Sequence, residues 1–220
     1  MSTEVLLPDR TPPARGIPPD PALPAPCGAR LTEVEQAIEG RRTSSPRRLG
    51  LPAPSDAQLD RMLRAAAAAP DHGQLLPWRF LRIGAQRRDA LGGAFAQALR
   101  ERDPLATSDQ CAQARAKAHN APLLIAAIAR LNPGEGAGVV HGWEKLVSLG
   151  CAIQNLLLAA HSLGFQSALT SGRAIDAAPV RALLCLARHE RAVCFINLGT
   201  ETAPRKARMR PAPSSFVSDL

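Results

Sequence analysis

Three short stretches of the chain carry residue types that could hold a ligand. The first is Arg41-Arg42-Thr43, just past a helix-like segment. Two guanidiniums and a hydroxyl can together hold a phosphate and the polar chain attached to it, because Arg donates bidentate, charge-assisted bonds. A basic pair at a helix end also complements the helix dipole, and taken alone that plainer reading has the better claim. The second stretch is APDHGQLLPW, residues 69–78. Pro70 stops a helix, and Asp71, His72 and Gly73 turn the chain. His72 therefore sits in a loop rather than on an apolar face, open to a ligand or to solvent. The third is GFQSALTSG, residues 164–172. Here a strand runs into a polar loop ended by glycine, where small residues allow a flat ring to approach, or where a strand simply ends.

What is missing narrows the chemistry further. No G-x-G-x-x-G follows a strand, no GxxxxGK[ST] marks a P-loop, and no G-x-S-x-G marks a hydrolase elbow. The five histidines are dispersed at 72, 119, 141, 161 and 189, and no H-E-x-x-H or His/Cys cluster points to a metal. The five cysteines, at 27, 111, 151, 185 and 194, form no CxxC, so neither a disulfide framework nor a zinc site is expected. They read as reduced thiols of a cytoplasmic protein. An enzyme without its own nucleophile or acid–base set is a candidate for taking its chemistry from a cofactor.

The net charge is +8, but the basic residues are mostly Arg scattered among Asp and Glu, and only Arg41–Arg48 and Arg205–Arg210 form dense clusters. Nucleic-acid binding usually wants basic residues interleaved with aromatics, and aromatics are 3% of the chain with no Tyr. Two short clusters suit a bound phosphate, so no nucleic-acid partner is expected. No apolar run reaches the ~18 residues a membrane span needs, and the first residues lack the basic and apolar regions of a signal peptide.

The elements that must position these stretches can be read from periodicity and punctuation. Residues 1–30 hold eight of the twenty prolines and no apolar period, and are expected to be a disordered extension. Residues 31–220 form one domain. LTEVEQAIEG reads as a helix with Thr32 as N-cap and Gly40 as stop. Ser55 and Gln58 make a capping box before LDRMLRAAAAA. WRFLRIG is a strand, residues 86–102 and 107–118 are helices, and APLLIAAIAR is a strand buried on both faces. WEKLVSLGCAIQNLLLAAHSLG is a long helix expected to be buried nearly all round and capped by Gly164. FQSALTSG, PVRALLCLA and RAVCFINLGT follow as strand, helix and strand. The order gives helices alternating with about four strands, a layered α/β or α+β fold.

In this order the motifs resemble the nitroreductase family, in its small bacterial branch with a minimal lid. That family opens with a helix and R-R-S; here it is Arg41-Arg42-Thr43. A helix ending A-P-D-H, then P-W and a strand, matches APDHGQLLPWRFLRI. NAPLLIAAIAR, then WEKLVSLGCAIQNLLLAAHSLGF, then Leu198-Gly199-Thr200 match the remaining signatures. The resemblance implies a three-layer α+β sandwich, a mostly antiparallel sheet flanked by helices, in an intertwined homodimer with FMN at the interface. It implies that Arg41, Arg42 and Thr43 bind the FMN phosphate and ribityl chain, that Ala68 and His72 reach in from the partner, and that Leu169, Thr170 and Ser171 line the ring. Residues 159–164 match a segment associated with the nicotinamide nucleotide, or are a buried helix end.

The implied activity is ping-pong: NADH or NADPH passes hydride to flavin N5, and an electron-poor acceptor such as a nitro compound or quinone is reduced next. No residue is assigned a catalytic role. The chain departs from the family at Thr43 for Ser, at Ala68 where relatives can carry Arg, and at Leu169 and Thr170 where Trp and Arg are common. The loop after Thr43 is about two residues longer. Dehalogenation, ring dehydrogenation, flavin breakdown or non-catalytic flavin binding are the alternatives, and the lid region 103–120 is short.

Overall fold

The computed structural model describes residues 28–131, 140–203 and 209–220, with only the backbone course given for 28–32. The expected extension lies outside the described residues up to position 27. The first helix, α1, spans Gly28–Gly40, so it begins three residues earlier than expected, and Thr32 lies inside it rather than capping it.

The sheet is organised on two long strands, β3 (Leu123–Arg130) and β5 (Glu190–Glu201), paired antiparallel. Strand β2 (Trp78–Arg82) pairs with the free edge of β3, and β4 (Gln166–Thr170) pairs with β5. A fifth strand, β1 (Leu49–Gly50), pairs with Thr200 and Glu201. The sequence reading placed β1 in a loop and expected about four strands. Two residues carry no period, and only the partner β5 makes them a strand. All named pairings are antiparallel.

Alternation along β3 splits the core in two. Leu123, Ile125, Ala127 and Ala129 face α2 (Asp56–Ala67) and α5 (Gly142–Ser162). Leu124, Ala126 and Ile128 face α3 (Ala85–Arg102) and α6 (Ala178–Leu183), with α4 (Ser108–Ala116) packed beside α3. The result is three layers, helices on both faces of an antiparallel sheet, and β3 is buried on both faces as its unbroken apolar run requires. The Ser55–Gln58 capping box is present, and Thr107–Gln110 forms a second one that starts α4. Gly164 ends α5 with φ +85°, a conformation that costs glycine nothing. Gly199 is required for another reason: a Cβ there would lie 2.9 Å from the Gly50 carbonyl oxygen and from the Pro122 ring.

Helix α5 buries Leu149, Ala152, Ile153, Leu156, Leu157 and Ala160 in the first core. Each large apolar side chain buried there stabilises the fold by roughly 1.5–3 kcal/mol. The helix is not buried all round, however. Trp143, Leu146 and Val147 are exposed, with Gly150 and Gln154 following at helical spacing. One chain has two layers to offer a helix, and this stripe points away from both. The tail is a 3-10 turn, Pro213–Ser215, rather than an extended segment, and its Phe216 and Val217 are exposed. Among the described residues no helix is long and apolar enough to cross a membrane.

Candidate functional site

Arg41-Arg42-Thr43 leaves α1 along the edge of β4. Thr43 forms a parallel bridge with Ser167, and the next amide, Ser44, donates to the Ser167 carbonyl at 3.0 Å. The buried Ser44 hydroxyl donates to Glu201 at 2.7 Å, which fastens the segment to the end of β5. Gly40 abuts His161, whose Nε2 would lie 2.9 Å from a Cβ built on the glycine, so the segment starts at the C-terminal end of α5.

Arg41 is partly buried, and its Nε is a buried donor without an acceptor. Burial, and then the nearby Arg210, lowers the pKa of this guanidinium from its ordinary value. Arg210 donates to the Arg41 carbonyl at 2.9 Å. The two basic clusters, 169 residues apart at these positions, therefore meet. Among the described residues no carboxylate lies within ion-pair distance of Arg41, Arg42 or Arg210. Arg210 belongs to the second cluster read in the sequence, but nothing in the sequence joined it to Arg41. Residues 204–208 of that cluster lie outside the described residues.

At the far end of β4, Leu169 and Ser171 are exposed. The Thr170 hydroxyl accepts from Asn197 Nδ2 at 3.1 Å, and the same amide donates to the Ala168 carbonyl at 3.2 Å. Asn197 is almost fully buried on β5, and no sequence signal singled it out. Thr170 and Asn197 line a cavity of about 690 Å³ between the β4 end, α3 and α4. The other sequence-predicted residues do not line it. Thus Arg41–Thr43 and Leu169–Ser171 share one sheet edge, and the cavity opens beside them.

Ala68 and His72 lie elsewhere. Ala68 is the exposed C-cap of α2, and His72 begins a 3-10 turn, His72–Gln74. His72 Nδ1 is 2.8 Å from Glu144 Oε2, at the N-terminal end of α5. Glu144 also accepts from the His141 amide at 3.2 Å, completing the cap of that helix. These bonds, His72 first, lower the pKa of the Glu144 carboxyl. The 17 residues from Glu144 to His161 span about 25 Å of helix at ~1.5 Å per residue. The Arg41 and His72 ends of the predicted site therefore stand at opposite ends of α5. The 159–164 segment falls at the Arg41 end, where His161 Nδ1 is buried without a partner. Among the described residues no cluster of side chains could hold a metal ion.

Known proteins share this fold. A protein of Haemophilus influenzae, provisionally named an NAD(P)H nitroreductase, is 32% identical over 167 residues, covering 75% of this chain and 89% of that one. A nitroreductase-like family protein from Bacillus cereus superposes with a TM-score of 0.71 at 18% identity, covering 85% of this chain and 95% of that chain. A nitroreductase with bound FMN from Bacteroides fragilis superposes with a TM-score of 0.64 at 21% identity, covering 86% and 98%. The model of the nitroreductase family matches residues 38–200, which include both halves of the site. With this match and this order of elements, the chain belongs to the nitroreductase family.

Proposed function

We propose that the chain is an FMN-dependent oxidoreductase that oxidises NADH or NADPH, with each site drawn from both chains of a homodimer. One observation carries the reading: Arg210 reaches the Arg41 carbonyl beside a buried, unsatisfied Arg41 Nε, with Arg42 next in the chain, and among the described residues none of the three has a carboxylate partner. A buried donor left unmade costs roughly 1–3 kcal/mol, and a phosphate oxygen is the acceptor suited to such a set. The residues present thus fit the phosphate end of FMN. Thr43 adds a hydroxyl, and Leu169, Thr170 and Ser171 lie on the adjacent strand, where the ribityl chain and ring would rest. The FMN in the Bacteroides neighbour and the name of the Haemophilus relative support the same reading.

FMN, held by Arg41, Arg42 and Thr43, would supply the redox chemistry: hydride transfer through its N5 between NAD(P)H and an electron-poor nitro compound or quinone. The chain binds, orients and excludes water. Asn197 fixes the Thr170 hydroxyl, and the cavity gives the second substrate a place beside the ring. A cytoplasmic location suits the unpaired Cys111, Cys151, Cys185 and Cys194.

Two features support the dimer. His72 and Arg41 lie at opposite ends of α5 within one chain, which favours His72 reaching the FMN held by Arg41 from another. The exposed Trp143–Val147 stripe of α5 supplies an apolar face for that second copy. A mixing experiment tests both. An Arg41→Ala chain combined with a His72→Ala chain yields mixed dimers in which one site carries both defects and the other none. NAD(P)H oxidation should rise above that of either parent. No gain after exchange is confirmed by mass, or a monomer with full FMN by light scattering, overturns the shared site.

A further inference from the structure

The segment that carries Arg41, Arg42 and Thr43 hangs on one buried residue. Between positions 41 and 48 every side chain is exposed or half-buried except Ser44. Its amide donates to the Ser167 carbonyl on β4 at 3.0 Å, and its hydroxyl to Glu201 Oε1 on β5 at 2.7 Å. Ser44 is thus bonded to two strands, one through its backbone and one through its side chain. The first bond fixes a position; the second, from another direction, fixes an orientation. Glu201 also meets the far end of the turn, because its backbone pairs with Leu49 in the β1–β5 ladder. There Thr202 adds its amide and its hydroxyl, both donating to the Arg48 carbonyl, at 2.9 and 3.0 Å. Those ties hold the 48–49 end whatever side chain stands at position 201. The carboxylate is not needed for them. Its hydrogen-bond partner among the described residues is the Ser44 hydroxyl, one residue after Thr43.

We propose that Glu201 is a positioning residue for cofactor binding: through Ser44 it orients Arg41, Arg42 and Thr43 toward the phosphate, without touching the cofactor itself. This rests on the reading that these three residues hold the FMN phosphate. A backbone anchored at Ser44 presents two guanidiniums and a hydroxyl already arranged, so less ordering entropy is lost on binding. Without the carboxylate, the segment keeps its backbone bond to β4 and loses the bond that sets its direction.

The test is equilibrium binding of FMN and of riboflavin, which lacks the phosphate, read by flavin fluorescence on the full-length protein. Glu201→Ala and Ser44→Ala should each weaken FMN about tenfold, the size of one charge-assisted hydrogen bond. Riboflavin should bind both variants as it binds the parent. The double variant should be no weaker than either single one, because both remove the same bond. Glu201→Gln keeps an oxygen that can accept from Ser44 and should recover most of the FMN affinity. A purely structural role for Glu201 would lower the melting midpoint and weaken both flavins alike. The proposal is overturned by an FMN affinity in Glu201→Ala equal to the parent's, or by equal losses for FMN and riboflavin. Single effects that add in the double variant, or a Gln variant as weak as the Ala one, overturn it too. All four results leave the flavoenzyme reading standing. If Glu201→Ala does not fold, Ser44→Ala against the two flavins carries the same test. A parent protein that binds FMN no more tightly than riboflavin removes the phosphate site, and this proposal with it.

Discussion

Two cation-rich regions of this molecule use the same residue type in opposite ways. Around Glu190, at the start of β5, every charge is answered. Arg79 donates twice to the carboxylate, at 2.7 and 2.8 Å, Arg130 stands at 3.7 Å, and the Ala187 amide adds a bond at 3.1 Å. The Arg79 bonds first, then the Ala187 amide and the surrounding charges, bring the Glu190 carboxyl from 4.5 down to about 2 despite its burial. At the other region, Arg210 meets Arg41 with no acid between them among the described residues, and one Arg41 donor is buried without an acceptor. The first arrangement is complete within the chain and stabilises the fold. The second leaves a donor open among the described residues, which the proposed FMN phosphate would fill. The count of arginines separates nothing; the presence of a partner does.

The largest test of this contrast is Glu190→Gln. Losing the charge-assisted pair leaves Arg79 without its counter-charge and should cost about 2–3 kcal/mol. That lowers the thermal midpoint by roughly 5–10 °C. The pH dependence has a defined sign. Glu190 is held below its ordinary value, so its contribution is full above about 4.5 and is lost as pH falls toward about 2. Melting curves across that window should be flatter in the variant, and a variant as steep as the parent would show that Glu190 is not the group responsible.

Arg41→Ala should do the reverse. FMN should bind on the order of tenfold or more weakly, while the melting midpoint of the apo chain stays close to the parent, because no partner is lost. Fluorescence titration reads the first and calorimetry the second; an unchanged FMN affinity would take Arg41 out of the site. Arg210→Ala should weaken FMN by a smaller factor, a few-fold, since its side chain is exposed and screened. The smallest effect is that of salt. Near 1 M, where the Debye length is about 3 Å, FMN affinity should fall a few-fold while the Glu190 region keeps its stability. A midpoint that drops in step with FMN affinity would dissolve the distinction.

Much of the fold was legible because its signals are local. The Ser55–Gln58 cap, the unbroken apolar run 123–129, and Gly164 after a long apolar helix each state a short-range requirement that the structure meets. The misses have equally physical causes. Strand β1 is two residues long and exists through its partner. The apolar residues of α5 looked like a core on every side, because sequence cannot distinguish a residue that faces the sheet from one that faces away from it.

The site divides the same way. Residue type drew attention to Arg41-Arg42-Thr43, the APDH loop and the 164–172 stretch, and the resemblance gave each an expected part in holding FMN. The meeting of Arg210 with Arg41 across 169 residues, the Asn197 bond to Thr170, and the separation of His72 from Arg41 by the length of α5 were not legible. Local chemistry, such as caps, turns, charge and apolar period, is written in neighbouring residues and so was determined by the sequence as read. Which distant groups share a space was decided only by tertiary packing, because contacts between remote segments depend on how whole elements stack and leave no mark in the residues between them.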